Sequence, residues 1–370
     1  MRITRKTCCH VIAVLVLLTL FCGPTAASAN LEGRLVTDLG GRTVVIPEQI
    51  DRLVALGPGA LRLITYLQAL DKVVGIEQIE RQELPFYFRP YSVVAAKQLA
   101  HRHIVAPGGP GKLPDMEQLI ACRPQVIICI GLDPMQVENL QQKTRIPTIM
   151  VTYGELGVLR QEVIQSLRLL GTILGKEDRA DELITFIEMV QKELHDRVKS
   201  VTQQEKPTVY FGGIAYKGAR GLTSTEANYL PGSMVKARNV VDAAKHDSHL
   251  FIDPEQLICW NPEVIFFDIT SAPVIMPDFN RNSSFYHLLK AVKNGRVFTL
   301  LPYNQYNTNI EIALINAFFI GKTLYPFQFA DITMDEKRSQ IFQFFLGNPG
   351  PVNLPVDPSF QLTRFGFANN

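Results

Sequence analysis

Residues 115–128 read DMEQLIACRPQVII, and residues 253–266 read DPEQLICWNPEVIF. The two stretches carry Asp, Glu, Gln, Leu, Ile, Pro, Val and Ile at the same offsets. In each, an Asp precedes an apolar helical pattern and a Glu stands in the first turn, which suits a capped helix and its dipole. A proline then ends the helix, and the apolar run that follows predicts a strand buried in a parallel sheet. One helix–strand unit that occurs twice, far apart in the chain, predicts two similar α/β lobes.

Other apolar runs alternate with helical patterns, so we expect mainly parallel sheets with helices on their faces. The predicted strands are residues 52–56, 72–76, 147–151, 208–211, 264–267 and 297–300. Between the halves, residues 156–201 contain no proline. Apolar side chains from Leu183 to Val198 recur at helical spacing there, which predicts an amphipathic helix of roughly six turns after a break at Gly175-Lys176. This long helix would join the lobes, because its heptad pattern is too short for a dimerisation coiled coil.

The first 29 residues have the pattern of a secretory signal peptide. Arg2, Arg5 and Lys6 precede an apolar run at residues 11–21 and an Ala-Ser-Ala cleavage pattern at 27–29. The run is shorter than the roughly 20 residues that span a bilayer, and Phe21 before Cys22 argues against a lipid anchor. We therefore expect a periplasmic protein with a cleaved signal peptide (1–29), an N-terminal lobe (30–155), a helical linker (156–202), a C-terminal lobe (203–346) and a tail (347–370).

Composition and motifs exclude several classes of protein. The chain has 370 residues, 46% of them hydrophobic and 19% charged, and its formal net charge of +2 becomes −1 without the three basic residues of the leader. These values exclude a disordered chain and a basic nucleic-acid binder. No G-x-S-x-G, P-loop or H-E-x-x-H motif occurs, so we expect no enzyme. Beyond the leader, Cys122, Cys129 and Cys259 are predicted as buried core residues, with a Cys122–Cys129 disulfide as the alternative.

Aromatic and polar residues gather where loops follow the predicted strands. Ligands of open α/β sheets bind outside the carboxyl ends of strands, and Tyr and Asn suit a bulky, partly polar ligand. The candidates are Glu77, Glu80, Tyr216, Lys217, Arg220, Tyr229, Tyr303, Asn304, Gln305, Tyr306, Asn307 and Asn309. Separately, His101 and His103 form an H-x-H pair that binds a transition metal if a third ligand is nearby.

The ordered set of motifs resembles the periplasmic binding proteins of ABC importers for iron complexes and vitamin B12. The resemblance begins at residues 36–47 (VTDLGGRTVVIP), continues through residues 52–54 and 71–75 and both repeat units, and includes residues 294–298 (NGRVF). It implies the class III fold, in which two α/β lobes joined by one long helix hold a ligand between them. By position it places ligand contacts at Gly59, Glu77, Tyr216, Lys217 and Tyr229 and at Tyr303, Asn304 and Tyr306.

The resemblance also implies two partners. One is a small molecule, an iron complex (siderophore or haem) or a corrinoid, and the other is an ABC permease that docks on one acidic residue of each lobe. Glu80 falls at the N-terminal docking position, and Glu226 is a substitute in the C-terminal lobe because residues 233–240 contain no acid. We expect a monomer with no permanently bound cofactor.

The ligand class stays open at this stage. Haem would take an axial ligand from His101, Tyr229 or Tyr303, whereas an anionic ferric chelate would use Lys217 or Arg220. The alternatives are direct capture of a transition-metal ion by the histidine pair, an exported enzyme acting on a chelate or tetrapyrrole, and a receptor domain that signals to a membrane sensor.

Overall fold

The computed structural model describes residues 33–81, 88–153, 161–216, 218–244 and 249–347. The predicted signal peptide, Lys217 and residues 348–370 of the predicted tail lie outside the described residues. The strands are β1 (Gly33–Thr37), β2 (Thr43–Pro47), β3 (Leu53–Leu56), β4 (Val73–Glu77), β5 (His103–Ala106), β6 (Val126–Cys129), β7 (Thr148–Met150), β8 (Thr208–Gly212), β9 (Ser224–Glu226), β10 (Arg238–Asn239), β11 (His249–Phe251), β12 (Val264–Asp268) and β13 (Val297–Leu300). The helices are α1 (Ala60–Tyr66), α2 (Pro90–Leu99), α3 (Met116–Ala121), α4 (Pro134–Thr144), α5 (Gln161–Leu174), α6 (Glu177–Val198), α7 (Leu230–Met234), α8 (Pro254–Trp260), α9 (Ala272–Arg281), α10 (Ser283–Tyr286), α11 (Lys290–Lys293), α12 (Ile310–Leu324) and α13 (Met334–Leu346).

Two parallel sheets form the centres of the two lobes. The N-terminal sheet has the strand order β5-β4-β3-β6-β7, and the C-terminal sheet has the order β10-β8-β12-β13. Strands β3, β4 and β6 are buried along their whole length, because both faces of a parallel sheet are covered. The architecture confirms the predicted fold class of two similar lobes with mainly parallel sheets and a long connecting helix.

The repeated segments occupy equivalent places in the two sheets. Helix α3 leads into β6, which lies between β3 and β7, and helix α8 leads into β12, which lies between β8 and β13. Val126 of β6 lies opposite Leu53, and Val264 of β12 lies opposite Val209. The valines occupy corresponding positions of the repeat, so the sequence repeat is also a structural repeat.

The two repeat helices end alike and begin differently. Arg123 and Asn261, each directly before a proline, have left-handed backbones with φ of 45° and 42°, a conformation that stops a helix. At the start, the Asp115 carboxylate accepts hydrogen bonds from the backbone N–H groups two and three residues later. Asp253 stands at the equivalent position, but its side chain accepts no capping hydrogen bond.

Helices α5 and α6 connect the two lobes, as the sequence pattern of residues 156–202 predicted. The break falls at Gly175, where φ is 64°, and α6 has 22 residues, which gives a length of about 33 Å. The predicted apolar face of α6 is buried, as its spacing indicated, whereas Met189 on another face is exposed. The buried side chains of that face are Leu183, Ile184, Ile187, Val190, Leu194 and Val198.

One apolar core runs through both lobes and contains side chains of α5, α6, α12 and α13. Helix α13, the last helix of the described residues, packs on the N-terminal lobe. The Phe345 ring meets Tyr66 of α1 edge-on at 4.9 Å, and the Phe344 ring stacks on Phe186 of α6 at 3.9 Å. Both α6 and α13 therefore tie the lobes together.

The structure corrects two expectations about the cysteines. Cys122 and Cys129 are buried as predicted, but all three cysteines are free, so the alternative disulfide is wrong. Cys259 is exposed rather than buried, because α8 turns Leu257 towards the core instead. Within the described ranges, no helix is both long enough and apolar enough to cross a membrane.

Candidate functional site

The loop of residues 301–309, which follows β13, contacts the N-terminal lobe. The Tyr306 hydroxyl donates to the Glu77 carboxylate at 2.7 Å and accepts from the Gly109 N–H at 2.8 Å. The Asn307 side chain donates to the Pro58 carbonyl at 3.2 Å. Tyr306 and Asn307 both have left-handed backbones, with φ of 54° and 74°. This tight loop brings the C-terminal lobe into direct hydrogen bonding with the ends of the N-terminal strands.

A buried arginine on α1 supports the same loop. Arg62 is 0% exposed. Its Nη2 donates to the carbonyls of Gln305 at 2.8 Å and Tyr306 at 3.2 Å, and its Nε donates to Asn309 Oδ1 at 3.1 Å. Its Nη1 has no hydrogen-bond partner within the described part of the chain. A charged side chain thus lies buried at the contact between the lobes, and one of its nitrogens makes no hydrogen bond within the described residues.

Tyrosines and one acid surround the Arg62 guanidinium. Its central carbon lies 4.6 Å from the Tyr91 ring centre and 6.0 Å from the Tyr153 ring centre. Tyr66 donates a hydrogen bond to the Glu311 carboxylate beside it. Burial lowers the pKa of Arg62, but Tyr153, Tyr91, Tyr66 and Glu311 raise it by more, so the net shift is upward. The arginine therefore stays charged.

Gly59, a predicted ligand contact, stands beside this arginine in the turn before α1. Its φ is 85°, and a Cβ there would lie 2.6 Å from the Tyr153 ring and 3.0 Å from Arg62 Nη1. The Tyr153 hydroxyl donates to the Gly59 carbonyl at 3.2 Å. Glycine is needed here both for the left-handed backbone and for the close approach of the two side chains.

Two glutamates of the N-terminal lobe are buried. Burial raises the pKa of Glu77 to about 7, although the hydrogen bond from Tyr306 opposes the shift. Glu80 is 8% exposed, pairs with Arg89 at 3.3 Å and accepts from the Tyr91 hydroxyl at 2.9 Å. The predicted docking acid Glu80 is therefore not a surface charge in this structure, because its carboxylate is used in a buried ion pair.

Tyr229 and Tyr303 lie in the interior of the C-terminal lobe. Their ring centres are 5.3 Å apart, Tyr229 stacks on Phe211 at 4.4 Å, and the Tyr303 hydroxyl donates to Glu226 Oε1 at 3.0 Å. Burial raises the pKa of both phenols well above the ordinary value, which disfavours the phenolate that haem ligation requires. Glu226, the substitute docking acid, is also buried, and burial raises its pKa to about 7.

The other predicted contacts of the C-terminal lobe lie on its surface or outside the described residues. Asn304 is exposed. Tyr216 is half-exposed and stacks on His249, with ring centres 4.4 Å apart. Arg220 Nε donates to the Tyr216 carbonyl in its own loop. Lys217 falls on a residue that is not described.

The histidine pair stands apart from the contact between the lobes. His101 and His103 are both exposed, and His103 begins β5. Among the residues that the structure describes, no three His, Cys, Asp or Glu side chains form a group that could hold a metal ion. The predicted metal pair therefore has no third ligand in that part of the chain.

Sequence analysis missed Arg62, Tyr153 and Glu311. A signal for two of them was present, because Arg62 is the one charged residue in the α1 sequence ALRLITY, and Glu311 stands near the start of the apolar α12. A lone charge in an otherwise apolar helix indicates a buried polar contact, since charged groups are rarely buried without partners.

Comparisons with known proteins give consistent results. The family described as "Periplasmic binding protein" matches residues 53–303. The molybdate-binding protein MolA of Haemophilus influenzae is 23% identical over 336 residues, which cover 85% of this chain and 91% of MolA. The structure of MolA bound to molybdate superposes with a TM-score of 0.67 at 23% identity, over 85% of this chain and 98% of that one.

Two further solved structures share the fold. A periplasmic solute-binding protein from Veillonella parvula has a TM-score of 0.68 at 20% identity, covering 85% of this chain and 93% of that one. CeuE of Helicobacter pylori with Ni(II) bound has a TM-score of 0.62 at 16% identity, covering 85% and 96% of the two chains.

Proposed function

The chain belongs to the periplasmic binding protein family, and from that premise we propose that it captures an anionic metal complex between its lobes for an ABC importer. The family resemblance found in the sequence is thereby confirmed. The proposed role is reversible binding followed by release to a permease, as a periplasmic monomer without a permanent cofactor or a catalytic step.

The proposal of an anionic ligand rests on Arg62 Nη1, which has no hydrogen-bond partner within the described residues. A buried charged donor without an acceptor is costly, and a bound anion would supply that acceptor. Arginine suits oxygen-rich anions because its N–H groups form a planar fork. The neighbouring Tyr91 and Tyr153 are buried at the same place and would limit the access of water.

Two classes of ligand fit this chemistry. In both, a metal centre is surrounded by oxygen atoms and the complex has a net negative charge. One is a ferric chelate, which is among the ligand classes that the family resemblance implied. The other is a metal oxyanion, which the similarity to a molybdate-binding protein favours. A corrinoid is less suited to Arg62, because recognition of its large, mostly apolar body does not require a buried arginine.

The loop of residues 301–309 would have to shift for a ligand to enter. The Tyr306–Glu77 and Asn307–Pro58 hydrogen bonds hold it against the N-terminal lobe, whereas the core through α6 and α13 is continuous. We therefore propose that the loop moves locally and that the two lobes rotate little. A largely preformed site has a low ordering cost on binding.

The test is a ligand panel measured by isothermal titration and thermal shift. The panel contains sodium molybdate, ferric citrate, a ferric catecholate, haemin, cyanocobalamin and NiCl₂. We expect one anionic complex to bind one-to-one and to raise the melting temperature. Arg62→Gln should weaken that binding at least about tenfold, the loss expected for one charge-assisted hydrogen bond.

Arg34→Gln is the matched control, because Arg34 donates to the Thr172 and Ile173 carbonyls away from the loop. It should leave the affinity unchanged. The proposal fails if only cyanocobalamin or Ni²⁺ binds, or if a folded Arg62→Gln protein keeps the full affinity for the anion.

A further inference from the structure

A cavity lies within the C-terminal lobe, away from the contact between the lobes. Its volume is about 690 Å³, which is in the range of small-molecule sites. Strand β13, one face of α12 and the segment that leads into α13 enclose it, and every lining residue falls between positions 269 and 338. None of the residues around Arg62 takes part.

The inner wall of this cavity is apolar and aromatic. Phe298 of β13 and Phe319 of α12 line it, with ring centres 6.2 Å apart and nearly perpendicular planes. Phe266 packs against both rings, at 5.5 Å and 6.2 Å. Ile315 and Ile332 extend the apolar wall. In the described sheet, β13 has a partner on one side only, so the cavity lies along the edge of the sheet.

Cations outnumber acids among the charged residues of the lining. Arg296, Lys322 and Arg338 line the cavity together with one acid, Asp335. Arg338 is 7% exposed and pairs with Asp335 at 3.0 Å. Three cations and one carboxylate around an apolar wall give a positive local potential, which favours an anion whose remaining body is apolar.

We propose that this cavity is a second ligand site, for an amphipathic anion with one carboxylate or sulfonate on an aliphatic or aromatic body. The apolar body lies against Phe298 and Phe319, and the acidic group lies towards Arg296 and Arg338. The site does not depend on the function proposed for the contact between the lobes, because the two sites share no lining residue.

Dodecanoate and 1-anilinonaphthalene-8-sulfonate are the probes for this site, titrated into the folded full chain. We expect saturable one-to-one binding of both, and competition between them. Ala330→Trp places a bulky ring at the exposed rim of the cavity and should weaken both probes at least about tenfold. Ala121→Trp, an exposed alanine on α3 of the other lobe, is the matched control and should have no effect.

The charge is tested by a second pair of measurements. Arg296→Gln should weaken dodecanoate about threefold or more and leave the neutral analogue dodecanol unchanged, whereas Arg281→Gln on the surface of α9 should change neither. The inference is overturned if neither probe saturates, if Ala330→Trp leaves both affinities unchanged, or if dodecanol binds as well as dodecanoate. Loss of probe binding in Arg62→Gln would also overturn it, because the probes would then occupy the contact between the lobes.

Discussion

Arg62 and Glu77 both contact the loop of residues 301–309, and each is a titratable group in a buried place. Arg62 holds the backbone of the loop, and Glu77 accepts the Tyr306 hydrogen bond. Because few water molecules screen such contacts, a change of one atom or one proton there has a measurable effect on stability.

Gly59→Ala should destabilise the protein and weaken the binding of the anion. The new Cβ would meet the Tyr153 ring at 2.6 Å, on a backbone with φ of 85°, so we expect a loss of about 1–3 kcal/mol in the free energy of unfolding. Gly41→Ala is the matched control, since its φ is 77° and nothing lies within 4 Å of its Cβ position. Urea denaturation would measure both. Equal losses in the two variants would show that the clash with Tyr153 contributes nothing.

The raised pKa of Glu77 predicts that the free energy of unfolding falls as the pH rises. Burial raises its folded pKa from 4.5 to about 7, so the folded chain keeps a proton that the unfolded chain releases. The contribution of protonated Glu77 to the free energy of unfolding is complete below pH 4.5 and is lost as the pH rises through 7. The loss amounts to up to about 3 kcal/mol. Urea midpoints of the wild type and Glu77→Gln between pH 4.5 and 8 should therefore diverge, with the variant gaining relative stability at high pH.

Glu226→Gln provides an independent comparison in the other lobe. Burial also raises the pKa of Glu226 to about 7, and its partner is Tyr303 rather than Tyr306. The two substitutions share no hydrogen-bond partner, so their effects on the pH dependence should add. Parallel pH curves for the wild type and both variants would contradict the burial argument.

At the residue scale, the sequence indicated which polar residues lie near the strand ends. It did not indicate which of them form hydrogen bonds with one another. Tyr306 and Glu77 were both candidates, and the structure joins them by a hydrogen bond. Tyr229 and Tyr303 were also candidates, yet they face the lobe interior. The reason is physical, because strand order brings loops together while the direction of each side chain depends on backbone dihedrals such as the left-handed turn at Tyr306.

At the scale of elements, the two copies of the repeat allow a capped helix to be compared with an equivalent uncapped one. Asp115 caps α3 through its side chain, whereas Asp253 accepts no capping bond at the start of α8. Asp115→Ala should therefore lower the free energy of unfolding by about 1 kcal/mol, and Asp253→Ala should lower it by clearly less. Thermal unfolding of the two variants measures the difference, and equal losses would contradict the cap assignment.

Most strands of the two parallel sheets and the long helix were predictable, and the remaining strands were not. The predicted strand at residues 297–300 coincides with β13, and the predicted break at Gly175 separates α5 from α6. Sequence analysis missed β1, β2, β5, β9, β10 and β11. Strand length is not the reason, because the missed β5 and the predicted β13 both have four residues. The pairing of a strand such as β5 depends on a partner elsewhere in the chain, which a local sequence pattern does not reveal.

At the scale of the whole molecule, the continuous core predicts one cooperative unfolding transition. Side chains of α6, α12 and α13 belong to the same buried cluster as one face of each sheet. The single tryptophan, Trp260, lies in the C-terminal lobe, so its fluorescence reports on that lobe while far-ultraviolet circular dichroism reports on the whole chain. The two urea curves should coincide. Separate midpoints would show that the lobes unfold independently.

The packing of α13 on α1 also determines when the first lobe can finish folding. Phe344 and Phe345 cover Phe186 and Tyr66, so a chain that is made from its N-terminus exposes this apolar surface until residues 344 and 345 have been synthesised. A nascent chain that stops before Met334 contains every strand of the N-terminal sheet, but it lacks the helix that covers α1. The N-terminal lobe therefore completes this part of its packing only after α13 has been synthesised.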